Sequence, residues 1–502
     1  MKHIKNIYIL TLCITLLSLQ SCELTPVVDE VEPLFLIDAD VSVTDENSAN
    51  NALIGVYSQY TQKGLHFPTF FIMPDILIGY SNLGFATARN PEAQAWATNN
   101  PLVANGDVMR NSYAELYTTI NRANWVINLT SKLDASVFNR PERQAEIIAE
   151  AKLLRAITNL YLLRTWGQFY DTNSEYGIVL RTDPALKAEV FPRNTVQEVY
   201  DLILSDIEDG IANAPDNRGK QFLNKTFAQA FKAKILLYMG NYAEAAAVAK
   251  DVMDNAGGDF DLQQAPFSDL FFPHTSLELF NKSEILFAMG GSLEQGPSSL
   301  GYARFYYGIV ASVSPAYTSL AGTGALMVNG QSINHDGERI SSTVSRGRFG
   351  ALVSSKYGDF DFNLEMHYIM RMSELYLIFA EANARANNMV TTDALNALNA
   401  VRLRADATTT GGDGFETYPA TIGLDQFLEA VRIEKLMELY VENGENWYDA
   451  VRYDYADGFG AGFQVSDIKP SATDSDKFIF PIPQENLALT GDIVIQNPGY
   501  SN

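Results

Sequence analysis

Few residues of this chain could carry out catalysis, and those few are poorly grouped. Glu434 and Glu438 are four positions apart, and a pair of carboxylates is what glycoside hydrolysis requires. The spacing equals one helical turn, however, and Arg432 and Lys435 flank the pair. We therefore interpret the pair as a solvated or ion-paired helix face. A surface glycoside hydrolase is the enzymatic alternative.

The sequence also gives no sign of a metal or cofactor site. Outside the first 21 residues it has four histidines, and none has a His or Cys partner at metal-ligand spacing. Residues 359–363 begin like a calcium loop but lack the following Gly and the distal Glu. A nucleophile elbow and a phosphate-binding Gly-rich loop are also missing. We therefore predict no catalytic residues, no metal and no cofactor.

Aromatic residues in polar segments indicate binding. Trp96 lies in the polar stretch 95–100, Tyr306 and Tyr307 lie in a second such stretch, and Tyr317 follows a proline. A ring face covers the C–H surface of a sugar or peptide while amides bond its polar groups. The alternative is that these rings fix the loops onto the scaffold.

The N-terminus resembles a bacterial lipoprotein export signal. Lys2 and Lys5 precede an apolar run over residues 7–19, which is too short to span a bilayer as a helix. Ser21 then precedes Cys22, as a lipoprotein signal peptidase requires. Cys22 is therefore expected to become the lipidated N-terminus, and two or more acyl chains anchor a protein stably. The alternative is an ordinary cleaved signal with a chance cysteine.

Composition narrows the possible functions further. The formal charge of -24 over 502 residues argues against nucleic acid, which is bound through clustered Lys and Arg. The only other cysteine, Cys13, would leave with the signal. Thiol catalysis and disulfides are therefore not expected in the folded body, which must depend on its core for stability.

Apolar periodicity predicts a mainly α fold. The first helix is predicted to begin near Asp45, and Thr195 with Glu198 forms a capping box. Gly240 is predicted to end one helix, and Tyr242 to wedge the turn before its partner, as in a tetratricopeptide repeat. Long irregular segments, 64–110 and 257–365, are expected to carry binding loops. The helices are predicted at residues 112–133, 141–166, 195–211, 225–239, 242–253, 370–386, 392–404 and 424–443.

The helical segments together resemble the SusD/RagB family of outer-membrane nutrient-binding lipoproteins. The chain departs from the family pattern after Gly167 and around residues 442–449, where the family's His or Arg is missing. The matching stretches are residues 149–156 ("AEAxFLRA"), 192–207 ("PRxTVxEVYDxIxxDL"), 371–382 ("LRLAEVYLxYAEA"), 399–405 ("LNxVRxRA"), 434–449 ("ExxxELxxEGxRWFD") and the closing segments 481–483 and 496–500.

The resemblance implies a tetratricopeptide-like helical scaffold and a division of the chain. We expect a signal peptide over residues 1–21, a tether over 22–44 and an N-terminal SusD-like helical region over 45–256. A loop-rich ligand-facing region is expected over 257–365, followed by a C-terminal RagB/SusD helical region over 366–502.

The resemblance also implies a function. The protein would be anchored to the outer membrane through Cys22 and would face the cell exterior. There it would capture an oligosaccharide or peptide for a SusC-like TonB-dependent transporter, without making or breaking a bond. The family's starch-binding member uses a Trp-x-x-Asn spacing, which Trp96 and Asn99 share. A protein-binding scaffold without a small ligand is a further alternative.

Six residues are therefore predicted to contact the ligand. The prediction for Trp96 and Asn99 depends on the spacing they share with the family's starch-binding member. The prediction for the other four depends on loop position and chemistry alone. These four are Asp75, Tyr306, Tyr307 and Tyr317.

Overall fold

The structure is a computed structural model, and the chain divides at Asp45, from which residues 45–502 pack as one unit. The residues described are 42–61, 72–262 apart from 86, 104, 105 and 188, then 266–271, 281–291, 311–321, 326–356 apart from 334, 336, 348 and 349, then 365–406, and 417–501 apart from 460 and 461.

The described residues are mainly helical, as the sequence predicts. The helices before residue 260 are α1 Glu46–Tyr57, α2 Met73–Leu77, α3 Pro91–Ala97, α4 Asp107–Ser131, α5 Arg143–Trp166, α6 Val196–Asn213, α7 Lys225–Tyr238 and α8 Tyr242–Asn255. Those that follow are α9 Pro315–Ala321, α10 Glu338–Thr343, α11 Met372–Asn387, α12 Thr392–Arg404, α13 Leu424–Leu439, α14 Glu445–Ala456, α15 Val465–Ile468 and α16 Gln484–Thr490.

Successive helices pack side by side into a solenoid-like row. α4 packs on α5, α5 on α6, α6 on α7 and α7 on α8, and α8 then packs on α11. α5 is buried on almost all its faces, which is typical of a helix at the centre of such a body. Gly240 has φ +77° and ends α7, so that α8 can begin at Tyr242. This confirms the predicted tetratricopeptide-like helical pairs.

Within the described residues, eight short strands form four antiparallel pairs. Seven of them lie in the segments predicted to be irregular, whereas the last, residues 365–371, extends into the predicted C-terminal helical region. The first pair, β1–β3, aligns Leu83 with Ala311. The longest pair, β2–β8, contacts α7 and α11 and so joins the loop-rich region to the helical row. The strands are β1 Ser81–Leu83, β2 Ile285–Gly291, β3 Ala311–Val313, β4 Met327–Val328, β5 Gln331–Ser332, β6 Val344–Arg346, β7 Leu352–Ser354 and β8 Glu365–Arg371, with β4 paired to β5 and β6 to β7.

The last predicted helix, 424–443, is four residues too long, and a further helix that was not predicted follows it. α13 ends at Leu439, and a buried turn over residues 440–444, here called the α13–α14 turn, leads into α14. Val441, Asn443 and Gly444 all have positive φ, between +53° and +71°, which a continuous helix does not allow. Tertiary contacts described below hold this turn, so periodicity alone could not reveal it.

Glu434 and Glu438 are ion-paired, as predicted, but the expectation of a solvated face is wrong. Both side chains are fully buried. Glu434 pairs with Arg339 at 2.6 Å, and Glu438 pairs with Arg371 at 2.9 Å. The arginines come from segments distant in the chain, so the exposure of this helix face was decided by tertiary packing.

Candidate functional site

The predicted ligand residues that the structure describes gather around one segment, α2 and β1, residues 73–83. Asp75 belongs to it, and the Nδ2 of Asn99 donates to the carbonyl oxygen of Leu77 at 2.9 Å. Tyr317 lies against Tyr80, with ring centroids 6.5 Å apart. Trp96 lies on α3, which packs on α2 and β1. Residues from both of the long segments predicted to be irregular therefore meet in one region. Cys22, Tyr306 and Tyr307 lie outside the described residues.

The Trp96–Asn99 spacing is the end of a short helix rather than part of a loop. Asn99 has φ +52°, and the next amide, that of Asn100, donates to the carbonyl oxygen of Ala95 at 2.9 Å. A left-handed Asn closing a helix in this way is a common C-terminal cap. Trp96 is 3% exposed and Asn99 is 4% exposed. Asn99 therefore caps α3 and, through its bond to Leu77, fixes α3 against α2.

Asp75 holds the α13–α14 turn and the start of α14 through two hydrogen bonds. Its Oδ2 accepts the backbone N–H of Val441 at 3.0 Å, and its Oδ1 accepts from the Nδ2 of Asn446 at 2.9 Å. Burial raises the pKa of Asp75 to about 7, because its partners are neutral amides that only partly offset the loss of water. The carboxyl thus holds a β-branched residue in a strained backbone conformation.

Tyr317 completes the same cluster. Its ring stacks on that of Tyr440, with centroids 3.8 Å apart and planes 20° from parallel. Tyr440 in turn donates from its hydroxyl to the carbonyl oxygen of Tyr80. The burial of Asp75, Trp96, Asn99 and Tyr317 argues against direct ligand contact and gives them a supporting role.

Phe85 is an exposed aromatic ring in this region and was not predicted from the sequence. Phe85 is 86% exposed and directly follows β1 and Gly84. The carbonyl oxygen of Gly84 accepts the N–H groups of Thr87 and Ala88, at 3.2 and 2.9 Å. We call residues 84–90, apart from 86, the Phe85 turn. An aromatic residue after a Gly at the end of a short polar strand was the only signal in the sequence.

The strand pairing brings the start of β3 close to this turn. Leu83 pairs with Ala311, so the chain leaves β1 and enters β3 at the same end of the pair. Ala311 is the first described residue after the segment that carries Tyr306 and Tyr307. Asn82 and Arg89, both exposed, add an amide and a guanidinium beside Phe85 in the chain.

Glu434 and Glu438, the carboxylate pair considered for hydrolysis, do not form a hydrolytic centre. Glu434 and Glu438 are held by arginines that keep the pKa of each carboxyl well below its usual range, although burial opposes this. Acids so held cannot donate a proton at neutral pH. Among the described residues, no group of three His, Cys, Asp or Glu side chains is placed to hold a metal ion. Within the same residues, no helix is long and apolar enough to cross a membrane.

The fold is similar to that of solved SusD-like proteins. A SusD superfamily protein from Bacteroides thetaiotaomicron aligns with a TM-score of 0.74 and 19% identity, over 91% of this chain and all of the other. A laminarin-binding SusD-like protein aligns with a TM-score of 0.66 and 20% identity, again over 91% of this chain and all of the other. At these identities the likeness establishes the fold.

Curated relatives are also SusD-like proteins. One from Formosa agariphila is 28% identical over 278 residues, which is 54% of this chain and 50% of the relative. One from Bacteroides ovatus is 23% identical over 387 residues, which is 68% of this chain and 65% of the relative. The aligned part of the chain thus spans half to two thirds of the length of these two proteins.

Family profiles match both ends of the helical row. Residues 352–500 match the profile of the SusD family, named SusD_RagB. Residues 79–237 match a SusD-like profile described as starch-binding and associating with the outer membrane. The two ranges together cover more than half of the sequence and agree with the fold, and the chain belongs to the SusD/RagB family.

Proposed function

We propose that this protein captures an oligosaccharide at the outer surface of the outer membrane and delivers it to a SusC-like TonB-dependent transporter. It makes and breaks no bond in doing so. The observation that carries the proposal is the Phe85 ring, exposed to solvent on a turn that rests on the cluster of predicted ligand residues. Membership of the SusD/RagB family supports the same role.

The Phe85 turn has the chemistry and the rigidity that sugar binding requires. An exposed ring face covers the axial C–H groups of a sugar, and the neighbouring Asn82 and Arg89 can donate to its hydroxyls. The turn is fixed by hydrogen bonds to Gly84 and by Asn90, whose side chain caps α3. A fixed ring binds with less loss of conformational entropy than a mobile one. The laminarin-binding neighbour supports a glycan as the ligand class.

Replacing Phe85 by Ala tests the proposed site. We expect Phe85→Ala to weaken the binding of at least one oligosaccharide in a panel of laminarin- and starch-derived glucans about 3- to 10-fold, because the stacked ring is lost. Isothermal titration calorimetry measures the affinity, and circular dichroism checks that the fold is kept.

Phe191→Ala is the matched control, since Phe191 is a partly exposed ring of a different segment and contacts Arg181. Equal affinities for all sugars in Phe85→Ala and in the unchanged protein would contradict the proposed site. A protein that binds no glycan or peptide at all would point instead to a scaffold that holds only a protein partner.

The membrane anchor is the second part of the proposal and rests on Cys22 and the apolar run before it. We expect Cys22→Ser to abolish acylation and to move the protein out of the membrane fraction, since the anchor depends on the acyl chains. Labelling with a fatty-acid analogue, followed by fractionation, measures both effects. Cys13→Ser is the control and should remain acylated, because that residue lies within the signal.

A Cys22→Ser variant that stays acylated would contradict the proposed anchor.

The transporter partner is tested separately. A SusC-like transporter should co-purify with the unchanged protein after mild detergent extraction.

A further inference from the structure

Three Asn-Gly pairs occur in the sequence, and the structure describes both residues of two of them. Asn329 and Gly330 form the two-residue loop between β4 and β5. Asn443 and Gly444 belong to the α13–α14 turn. An Asn followed by Gly is chemically labile, because Gly has no Cβ to shield its backbone nitrogen from the Asn side chain. The structure therefore decides which of the two pairs can react.

The two pairs share one backbone conformation. Asn329 has φ +52° and Asn443 has φ +53°, and the glycines that follow them have φ +80° and +71°. Between β4 and β5 this conformation makes the tight turn of a two-residue hairpin, in which Val328 pairs with Gln331. A difference in reactivity between the two asparagines therefore has to come from their surroundings.

The side chain of Asn443 is buried and held by four hydrogen bonds. It is 4% exposed. Its Oδ1 accepts from the hydroxyl of Tyr161 at 2.9 Å and from Nε2 of His367 at 3.1 Å. Its Nδ2 donates to the carbonyl oxygens of Tyr368 and Ile369 at 2.9 and 2.8 Å. The Cγ atom therefore cannot turn towards the next backbone nitrogen without breaking these bonds in the interior of the protein.

The side chain of Asn329 is restrained much less. Asn329 and Gly330 are both exposed. The Nδ2 of Asn329 donates to Oγ1 of Thr421, itself exposed, at 2.8 Å, which is the one hydrogen bond of this side chain within the described residues. β4 and β5 have two residues each, so the hairpin can open locally at a small fraction of the cost of unfolding the chain. The attack that is blocked at Asn443 is therefore accessible at Asn329.

We propose that Asn329 is a site of spontaneous deamidation in the folded protein, whereas Asn443 is protected until the chain unfolds. The backbone nitrogen of Gly330 attacks Cγ of Asn329 and forms a C–N bond. The bond from Cγ to Nδ2 breaks, and the side-chain nitrogen leaves as ammonia with the proton of the attacking nitrogen. Water then opens the five-membered succinimide at either carbonyl group, which gives Asp or isoaspartate. Overall, an amide and water give an acid and ammonia, without oxidation or reduction.

Either product changes the hairpin. A negative charge replaces a neutral amide, and the Nδ2 that donates to Thr421 is lost. Isoaspartate also leads the backbone through the former side chain, which adds one backbone atom to a turn of two residues. The modification is independent of glycan capture at the Phe85 turn.

Mass spectrometry of the folded full chain tests the proposal. The purified protein is kept in mildly alkaline buffer, and digested samples taken over time are scored for conversion of amide to acid at Asn329 and Asn443. We expect conversion at Asn329 to be at least about tenfold faster, because one exposed hydrogen bond restrains it and four buried ones restrain Asn443. The same incubation in denaturant should make the two rates similar, since the protection of Asn443 is then lost.

A variant of the acceptor tests the restraint. Thr421→Val removes the hydroxyl and should speed conversion at Asn329 about two- to tenfold, which is the effect of losing one hydrogen bond. Thr118→Val is the matched control, since Thr118 is an exposed threonine whose hydroxyl donates to the carbonyl oxygen of Ala114 within α4. It should leave the rate at Asn329 unchanged. Circular dichroism checks that both variants are folded.

Equal rates at Asn329 and Asn443 in the folded protein would overturn the proposal. So would the absence of conversion at Asn329 in the folded protein under conditions in which the unfolded chain is converted. An acceleration in Thr118→Val as large as that in Thr421→Val would also contradict it, because the hydrogen bond to Thr421 would then not be the restraint.

Discussion

Asp75 and Glu434 are both fully buried carboxyls, yet their surroundings move their pKa values in opposite directions. Asp75 meets a backbone N–H and an amide, so burial prevails and its pKa rises to about 7. Glu434 meets Arg339 and Arg402, whose positive charges outweigh burial and lower its pKa. The residue type alone therefore does not determine which acid is charged in this protein.

Asp75 should make stability depend on pH. Between the ordinary value of 3.8 and about 7, the folded state binds more protons at Asp75 than the unfolded state does. Its contribution therefore falls as pH rises, by about 3 kcal/mol between about pH 5 and pH 8. Asp75→Asn removes this term, so the variant should gain stability relative to the unchanged protein over that range. Denaturant unfolding at several pH values measures the difference.

Phe191→Ala, which removes no titratable group, is the control and should show a constant difference from the unchanged protein across the same pH range. A constant difference for Asp75→Asn as well would contradict the raised pKa.

At the scale of elements, the ends of helices decide how well local patterns predict structure. The capping box of α6 depends only on residues three positions apart, and the structure confirms it: Thr195 accepts from the N–H of Glu198 at 3.2 Å, and Glu198 accepts from that of Thr195 at 2.8 Å. The end of α13 depends instead on Asp75, which holds the N–H of Val441 from 366 positions away. Local rules therefore predicted the first helix end and not the second.

The capping box gives a prediction of its own. Thr195→Ala should lower the free energy of unfolding by about 1 kcal/mol, because the N–H of Glu198 loses its side-chain acceptor at an exposed helix start. Thr195→Ser keeps the hydroxyl and should cost much less. Thermal or urea unfolding of the three proteins measures the order. An Ala variant as stable as the Ser variant would show that the cap contributes nothing.

At the scale of the molecule, buried polar contacts join the two regions that match family profiles. Arg164 of α5 pairs with Glu445 at 2.8 Å and donates to the carbonyl oxygen of Asn443 at 2.8 Å. Tyr161, one turn earlier, donates to the Asn443 side chain at 2.9 Å. The α13–α14 turn thus lies against the central helix as well as against Asp75. We infer that residues 45–502 unfold as one cooperative unit.

Removing one partner of this contact tests that inference. Arg164→Leu should lower the free energy of unfolding by about 3–5 kcal/mol, because Glu445 and the Asn443 carbonyl lose a buried partner. Urea unfolding followed by tryptophan fluorescence and by circular dichroism should still give one coincident transition.

Arg181→Leu is the control, since Arg181 is partly exposed and 3.9 Å from Glu189; it should cost less than about 1 kcal/mol. Separate transitions for the two probes would contradict a single unit.

The sequence by itself determined the family and, to within a few residues, the bounds of most of the long helices, but not the short helices of the irregular segments or α14. The bounds of the long helices depend on apolar periodicity and on capping and turn residues, all of which act within a few positions along the chain. The predicted helix at 392–404, for example, is present with the same bounds. Four of the residues predicted to contact the ligand, Asp75, Trp96, Asn99 and Tyr317, meet at one segment, although all four are buried there.

Only the tertiary structure decided which of those side chains face solvent. Burial depends on what packs against a residue from elsewhere in the chain, and neither an amide nor an aromatic ring reveals its own partner. Trp96 was covered by its neighbours, whereas Phe85 was left 86% exposed. The same reason explains why Glu434 and Glu438 became buried ion pairs: their arginines come from segments up to 99 positions away.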